Sequence, residues 1–332
     1  MRAQAQPIDA DFAIGYGAPL SRCFVLWGGV MRFVSRIGLG AICAALLLLS
    51  VSAPTGAITN GSDATSSSYD NIGSLWTSVT TASTGTDYFF ICSGIFVTPT
   101  DFLTASHCIA QTEAYAAQYG ISNVVFHISL SPSFGGCTPN APCSQPPCSL
   151  KFPCTSPPKS WISVSGVYLN PAYSLGQGGG NGTYVGDVSA LTVAKTPSKL
   201  GNFTNFPTDP TPDYLGLLSA DQTLSQSSTF SVFGMGSGVR EVGTLSFNSL
   251  TNDFVYESQV STQTDPSAGA CNGDSGGPNM LNPLGQNPVL VALTSTGDTN
   301  CDATNVSSRL DTPDVQAFLA TVPGLASWLS PQ

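Results

Sequence analysis

From Ile58 onward, short apolar runs alternate with clusters of Gly, Ser, Thr, Asn and Pro, and this rhythm constrains the fold more than any other feature of the chain. Ser74-Leu75-Trp76-Thr77-Ser78-Val79, Tyr88-Phe89-Phe90-Ile91-Cys92, Gly94-Ile95-Phe96-Val97 and the run Asn123 to Ile128 each have the length and the aromatic or β-branched content of a strand. The same holds for Val188 to Val193, Thr229 to Phe233, Phe254 to Tyr256 and Pro288 to Leu293. A helix is predicted near the carboxyl end, from about Pro313 to Leu319, with Asp311 or Thr312 as its cap. Many short strands joined by turns describe an all-β protein. Only 9% of the 332 residues are charged, but 42% are hydrophobic, so the chain can bury one large core or two medium ones rather than stay disordered.

The net charge of -10 bears on partners rather than on fold. The basic residues after position 57 are Lys151, Lys159, Lys195, Lys199, Arg240 and Arg309. They form no cluster, which argues against a nucleic-acid surface. An acidic, Ser/Thr-rich exterior suits a protein that stays soluble outside cells. The amino end supports that destination. Arg32 and Arg36 precede an apolar run from Ile37 to Val51, followed by the small residues Ser52 to Ala57. A basic flank, a short apolar stretch and a small-residue exit form a secretory signal peptide, here residues 31–57. The alternative is a single membrane anchor, for which the run is short. Residues 1–30 fit no part of a signal peptide, and Met31 is the better start, which leaves 1–30 as a doubtful extension.

Of ten cysteines, Cys23 and Cys43 fall before residue 58. The other eight, Cys92, Cys108, Cys137, Cys143, Cys148, Cys154, Cys271 and Cys301, are an even set behind a signal peptide, which points to disulfides formed in an oxidising compartment. Four of them lie in a Pro- and Ser-rich stretch, 131–160, with C-x5-C-x4-C-x5-C spacing. This reads as an inserted loop closed by two local disulfides. Zinc binding is the alternative, but the C-x2-C pairs usual for that metal are missing. Residues 174–183 form a glycine-rich loop without the Gly-Lys-Ser/Thr of a phosphate cradle.

Two further motifs carry chemistry: Leu103-Thr104-Ala105-Ser106-His107-Cys108 and Cys271-Asn272-Gly273-Asp274-Ser275-Gly276-Gly277-Pro278. A serine hydroxyl is a weak nucleophile at neutral pH and needs a base within hydrogen-bond reach. Histidine, with an ordinary pKa of about 6.5, serves that purpose. The chain has two. His127 lies within the apolar run Val125-Phe126-His127-Ile128 and reads as a structural strand residue, which leaves His107 as the base.

Together the two motifs resemble the trypsin/chymotrypsin family of serine endopeptidases, over the span from about Ile58 to Leu319 without the cysteine insert. The resemblance implies two packed antiparallel six-stranded β-barrels with a short C-terminal helix. Residues 58–204 would form the first barrel with the insert, 205–213 a connector, 214–310 the second barrel, and 311–332 the helix and tail. It implies a catalytic triad of His107, Asp187 and Ser275. Asp187 is chosen because Gly186-Asp187-Val188-Ser189-Ala190-Leu191 matches the context of the family's acid. The oxyanion hole would be the N–H groups of Gly273 and Ser275, with Gly273 free of a side chain that would interfere. Cys92 would pair with Cys108, and Cys271 with Cys301.

Ile58-Thr59-Asn60-Gly61 resembles the family's mature amino terminus, whose freed α-amino group would pair with Asp274. No Lys or Arg precedes Ile58, whereas Thr55-Gly56-Ala57 is an acceptable signal-peptidase exit, so signal cleavage itself would expose Ile58. The family's pocket floor falls at Gly269, six residues before Ser275 and followed by Ala270, with Ser295, Thr296 and Gly297 as the pocket wall. A glycine at the floor argues against an Arg or Lys preference and favours apolar or aromatic side chains before the cut. The expected protein is a secreted monomer acting on protein or peptide substrates, without cofactor or metal and touching a membrane only through its signal segment. A catalytically silent homologue serving as an extracellular binding module is the alternative. A lipase is excluded by the order His, Asp, Ser and by the Gly-Asp-Ser-Gly-Gly context of the serine.

Overall fold

The computed structural model describes residues 58 and 60–329, apart from 82–84, 135–160, 174–183, 204–205, 221–223, 226, 260, 263–264, 267–268, 285–287, 299–300 and 302. The signal segment 31–57, the extension 1–30, the cysteines Cys137, Cys143, Cys148 and Cys154, and the glycine-rich loop 174–183 therefore lie outside the described residues.

After a two-residue strand β1 (Ser62–Asp63), the first barrel is built from β2 (Ile72–Thr81), β3 (Gly85–Phe96), β4 (Asp101–Thr104), β5 (Val124–Ser129), β6 (Trp161–Leu169) and β7 (Ser189–Val193). It closes in the order β2-β3-β4-β7-β6-β5, and all pairs are antiparallel. Leu75, Phe96, Phe102, Ile109, Ile128, Leu191 and Val193 pack together as its core. The two apolar runs on either side of Ser93 belong to one strand, β3, not two. A bulge that skips Ile91 between the pairs Leu75↔Cys92 and Trp76↔Phe90 lets one long strand bend around the barrel.

The second barrel comprises β8 (Thr229–Gly234), β9 (Glu241–Leu250), β10 (Phe254–Ser258), β13 (Pro278–Leu281), β14 (Val289–Gly297) and β15 (Thr304–Arg309). A small hairpin of β11 (Ser261–Thr262) and β12 (Asp265–Pro266) lies outside it. The order β9-β10-β15-β14-β13-β8 closes through a β8–β9 pairing, and β1 adds to the edge of β9. Its core gathers Ile58, Phe230, Val232, Leu245, Val255 and Val291.

A third apolar cluster joins the barrels. Ile72, Ile95, Leu103 and Ala190 from the first meet Phe233, Leu290, Leu293 and Leu310 from the second. Helix α3 (Pro313–Leu319) and the following turns close this cluster with Val315, Phe318, Leu325 and Trp328. Thr312 caps the helix by accepting from the Val315 N–H, and a proline opens its first turn. Two more helices occur, α1 (Ser106–Gln118) and α2 (Tyr214–Ala220). The sequence does not announce α1, because its cap residue is Ala105, which offers no side-chain acceptor. The acceptor comes from a residue 80 positions away, as the site shows.

Candidate active site

His107 is the second residue of α1, immediately after β4. The Cys92–Cys108 disulfide ties this first turn to β3. Asp187 precedes β7, the strand paired with β4 at Thr104↔Ser189, so the barrel's own register brings Asp187 to the start of α1. The Ser106 hydroxyl fastens the approach by contacting Ser189 Oγ at 2.8 Å and donating to the Gly186 carbonyl at 3.3 Å.

Asp187 is fully buried and accepts three hydrogen bonds. The His107 main-chain N–H donates to Oδ1 at 2.7 Å, and His107 Nδ1 donates to Oδ2 at 2.8 Å. The first bond satisfies one of the N–H groups that every helix leaves unpaired at its start. The second fixes the tautomer: a carboxylate only accepts, so Nδ1 carries the proton and Nε2 presents its lone pair. Burial alone would lower the His107 pKa, but the charge of Asp187 and its hydrogen bond outweigh burial and hold the imidazole above its ordinary value. The third bond comes from the other barrel, where Ser295 Oγ in β14 donates to Asp187 Oδ2 at 2.5 Å.

Ser275 lies on the turn between Cys271 and β13. Its carbonyl accepts from the Ser93 N–H of β3 at 2.9 Å. The Ser93 hydroxyl donates to the Gly273 carbonyl at 2.9 Å. Gly276 has a φ of +79° and packs so closely that a Cβ would stand 2.4 Å from Thr104 Oγ1 and 2.7 Å from the Ala105 nitrogen. That close approach sets the serine turn against the residues that lead into α1. Among the described residues, neither the Ser275 hydroxyl nor His107 Nε2 is engaged in a hydrogen bond, and the N–H groups of Gly273 and Ser275 have no acceptor. A left-handed φ of +94° at Gly273 frees its N–H from the turn. The Cys271–Cys301 disulfide anchors the base of this loop.

Asp274 is buried, with Oδ2 accepting from the Cys271 N–H at 2.9 Å and Oδ1 from the Gly236 N–H at 3.0 Å. Burial pushes its carboxyl up to about 7. Ile58 is 2% exposed, and its nitrogen donates to Glu241 Oε2 at 3.3 Å. Gly269 and Ala270 are buried, Thr296 is half-buried and Gly297 is exposed. Ser295, placed by sequence in the pocket wall, is 3% exposed and directs its hydroxyl to Asp187.

Sequence reasoning missed two neighbours. The Ser295–Asp187 bond spans 108 residues, so no local pattern announces it. Tyr184 lies beside the imidazole with ring centroids 5.9 Å apart, and its only local signal is an aromatic residue shortly before the acid.

His127 is different. It is buried in β5, bonded through Nε2 to the Ser78 hydroxyl at 2.8 Å and packed on Trp161 with centroids 4.1 Å apart. Burial lowers it to about 4, and its Nδ1 has no partner. A histidine that resists protonation and has no carboxylate behind it is a poor base. The atoms of Cys92, His107 and Cys108 lie close enough together to suggest a metal site, but both sulfurs are consumed in the disulfide.

Two closed six-stranded antiparallel barrels are the arrangement of the chymotrypsin-like fold. The sequence matches no protein-family model and no curated protein.

Proposed function

We propose that the chain is a secreted serine endopeptidase that cleaves peptide bonds through an acyl-enzyme, with His107, Asp187 and Ser275 as its triad. The observation that carries this reading is a buried carboxylate holding His107 in the Nδ1–H tautomer, beside a serine turn with two free N–H groups. In the proposed mechanism, Nε2 of His107 takes the proton of Ser275 as Oγ attacks the carbonyl. Asp187 stabilises the imidazolium, and the proton then passes to the leaving amine. The N–H groups of Gly273 and Ser275 receive the oxyanion, each contributing about 3 kcal/mol to transition-state stabilisation. Water repeats the sequence on the acyl-enzyme. The substrate would lie extended along the end of β14, at Ser295 to Gly297.

The pocket reading favours apolar or aromatic side chains over Arg and Lys. Gly269 offers no charge. Glu257, a buried carboxyl in the same barrel, is wrapped by donors: Asn305 Nδ2 at 2.7 Å and Ser307 Oγ at 3.0 Å. Burial pushes it up to about 8, so it is largely protonated at neutral pH and unsuited to bind a cation.

Two disulfides fit an oxidising destination, and no helix among the described residues is long and apolar enough to cross a membrane. The test is active-site labelling by a serine-directed phosphonate on protein beginning at Ile58. Labelling of the wild type and its loss in Ser275→Ala is the expected result. Absence of labelling in correctly processed protein would favour a silent binding module. Peptide-library profiling that returned Arg or Lys before the cut would overturn the pocket reading.

A further inference from the structure

We propose that Glu241 is a second carboxylate, beside Asp274, in the receptor for the α-amino group of Ile58, so that two acids hold the mature amino terminus. The proposal rests on the reading of Ile58 as that terminus.

Three placements support it. First, Ile58 is docked in the core of the second barrel with Phe230, Val232 and Leu245, and the chain after it continues along β9. The Gly61 N–H closes a turn on the Ile58 carbonyl at 3.0 Å. Second, the Ile58 nitrogen already donates to Glu241 Oε2. Glu241 opens β9 directly opposite Gly234, the last residue of β8. Third, Gly234 is also where the Asp274 carboxylate rests, since a Cβ there would stand 1.9 Å from Asp274 Oδ1. One glycine thus has Glu241 as its ladder partner and Asp274 against its face. The charge of Glu241 adds to the burial that raises the Asp274 carboxyl, as expected of two close acids.

No cation among the described residues is bonded to Asp274. Among the described residues Asp274 accepts only main-chain N–H groups. The guanidinium of Arg240, next to Glu241 in sequence, is directed to Asp70 at 3.4 Å and to the Leu130 carbonyl at 3.2 Å. The other titratable groups on the surrounding elements are Asp63, opposite Glu241 on β1, Tyr214 on α2, and Tyr256 and the buried Glu257 on β10, which pairs with β9. β8 and residues 235–239 carry none.

The chemistry distinguishes cut from uncut chain. A peptide nitrogen at Ile58 has one N–H, which Glu241 occupies, and no charge to offer Asp274. A freed ammonium has three N–H donors and a full positive charge, enough to serve both acids. Glu241 is then a positioning residue that keeps the segment docked in either state, and Asp274 is engaged only after the cut.

The experiment uses protein beginning at Ile58 as wild type, Glu241→Gln and Asp274→Asn, with the Ile58 amine labelled with 15N. The pKa of that amine, followed by NMR, is expected at least one unit above the ordinary α-amino value of about 7.8 in the wild type. It should fall by about one unit in Glu241→Gln, a near-isosteric change that leaves an acceptor in place. The alkaline limb of phosphonate labelling should move down by the same interval. Unchanged amine pKa and labelling profile in Glu241→Gln would overturn the role of Glu241 while leaving the protease reading intact. If the wild type does not label at all, the protease reading fails. The amine pKa, which needs no catalysis, still decides on Glu241.

Discussion

Asp187 receives two donors from His107 and one from Ser295, and this arrangement sets the chemistry of the imidazole. The sign of its pH effect follows directly. Asp187 holds the His107 pKa above the ordinary value, and a protonated imidazole cannot accept the Ser275 proton. On the proposed mechanism, the kcat/KM of peptide hydrolysis should therefore fall as pH drops through a midpoint above about 6.5. Asp187→Asn should lower kcat/KM by roughly four orders of magnitude and move that midpoint down. A profile that stays flat from pH 5 to 8 would remove His107 from the mechanism. His107 and Ser275, the proposed base and nucleophile, could be singled out in the sequence because each sits in a local motif whose neighbours serve the same turn. Gly276, for example, is where a side chain would strike Thr104. Ser295 was placed in the pocket wall by the family resemblance, and its bond to Asp187 becomes visible only when the two barrels are packed together.

At the scale of elements, β2 and β8 were legible from apolar residues alternating with polar ones, whereas β6 and β9, which alternate as well, were not singled out, and the C-terminal helix was legible through its threonine cap. Helix α1 was not, because the acceptor at its start is the distant Asp187 rather than a residue of its own. This helix depends on what is fastened to its first turn. The Cys92–Cys108 bridge closes a loop with a sequence separation of 16 and anchors Cys108 next to His107. Replacing both cysteines by alanine should lower unfolding free energy by about 3 kcal/mol, measured by denaturant unfolding. The cost to activity should exceed what the lost stability alone explains at temperatures where the variant is still folded. A variant that retains wild-type stability would show that packing of Ile109 and its neighbours already holds the turn.

For the whole molecule, the interior of the second barrel is less apolar than its strand pattern implies. Glu257, Asn279, Asn305 and Ser307 meet inside it, with Asn279 oriented to donate to Glu257 Oε1 at 3.1 Å. The Glu257 carboxyl is raised to about 8 in the fold, against about 4.5 for the free group. Folding therefore favours the protonated form, and this group's contribution to stability is greatest below pH 4.5 and declines as pH rises towards 8. Measured by denaturant unfolding, wild type should lose stability relative to Glu257→Gln over that interval, with a constant difference above it. A difference between the two proteins that does not vary with pH would refute this assignment. The same barrel supplies Ser275 and Ser295, whereas His107 and Asp187 belong to the first. A chain still emerging from the ribosome has made His107 and Asp187 before either serine exists. On the proposed chemistry, the weapon and its trigger are made at different times, and a half-made molecule cannot harm the cell that is building it.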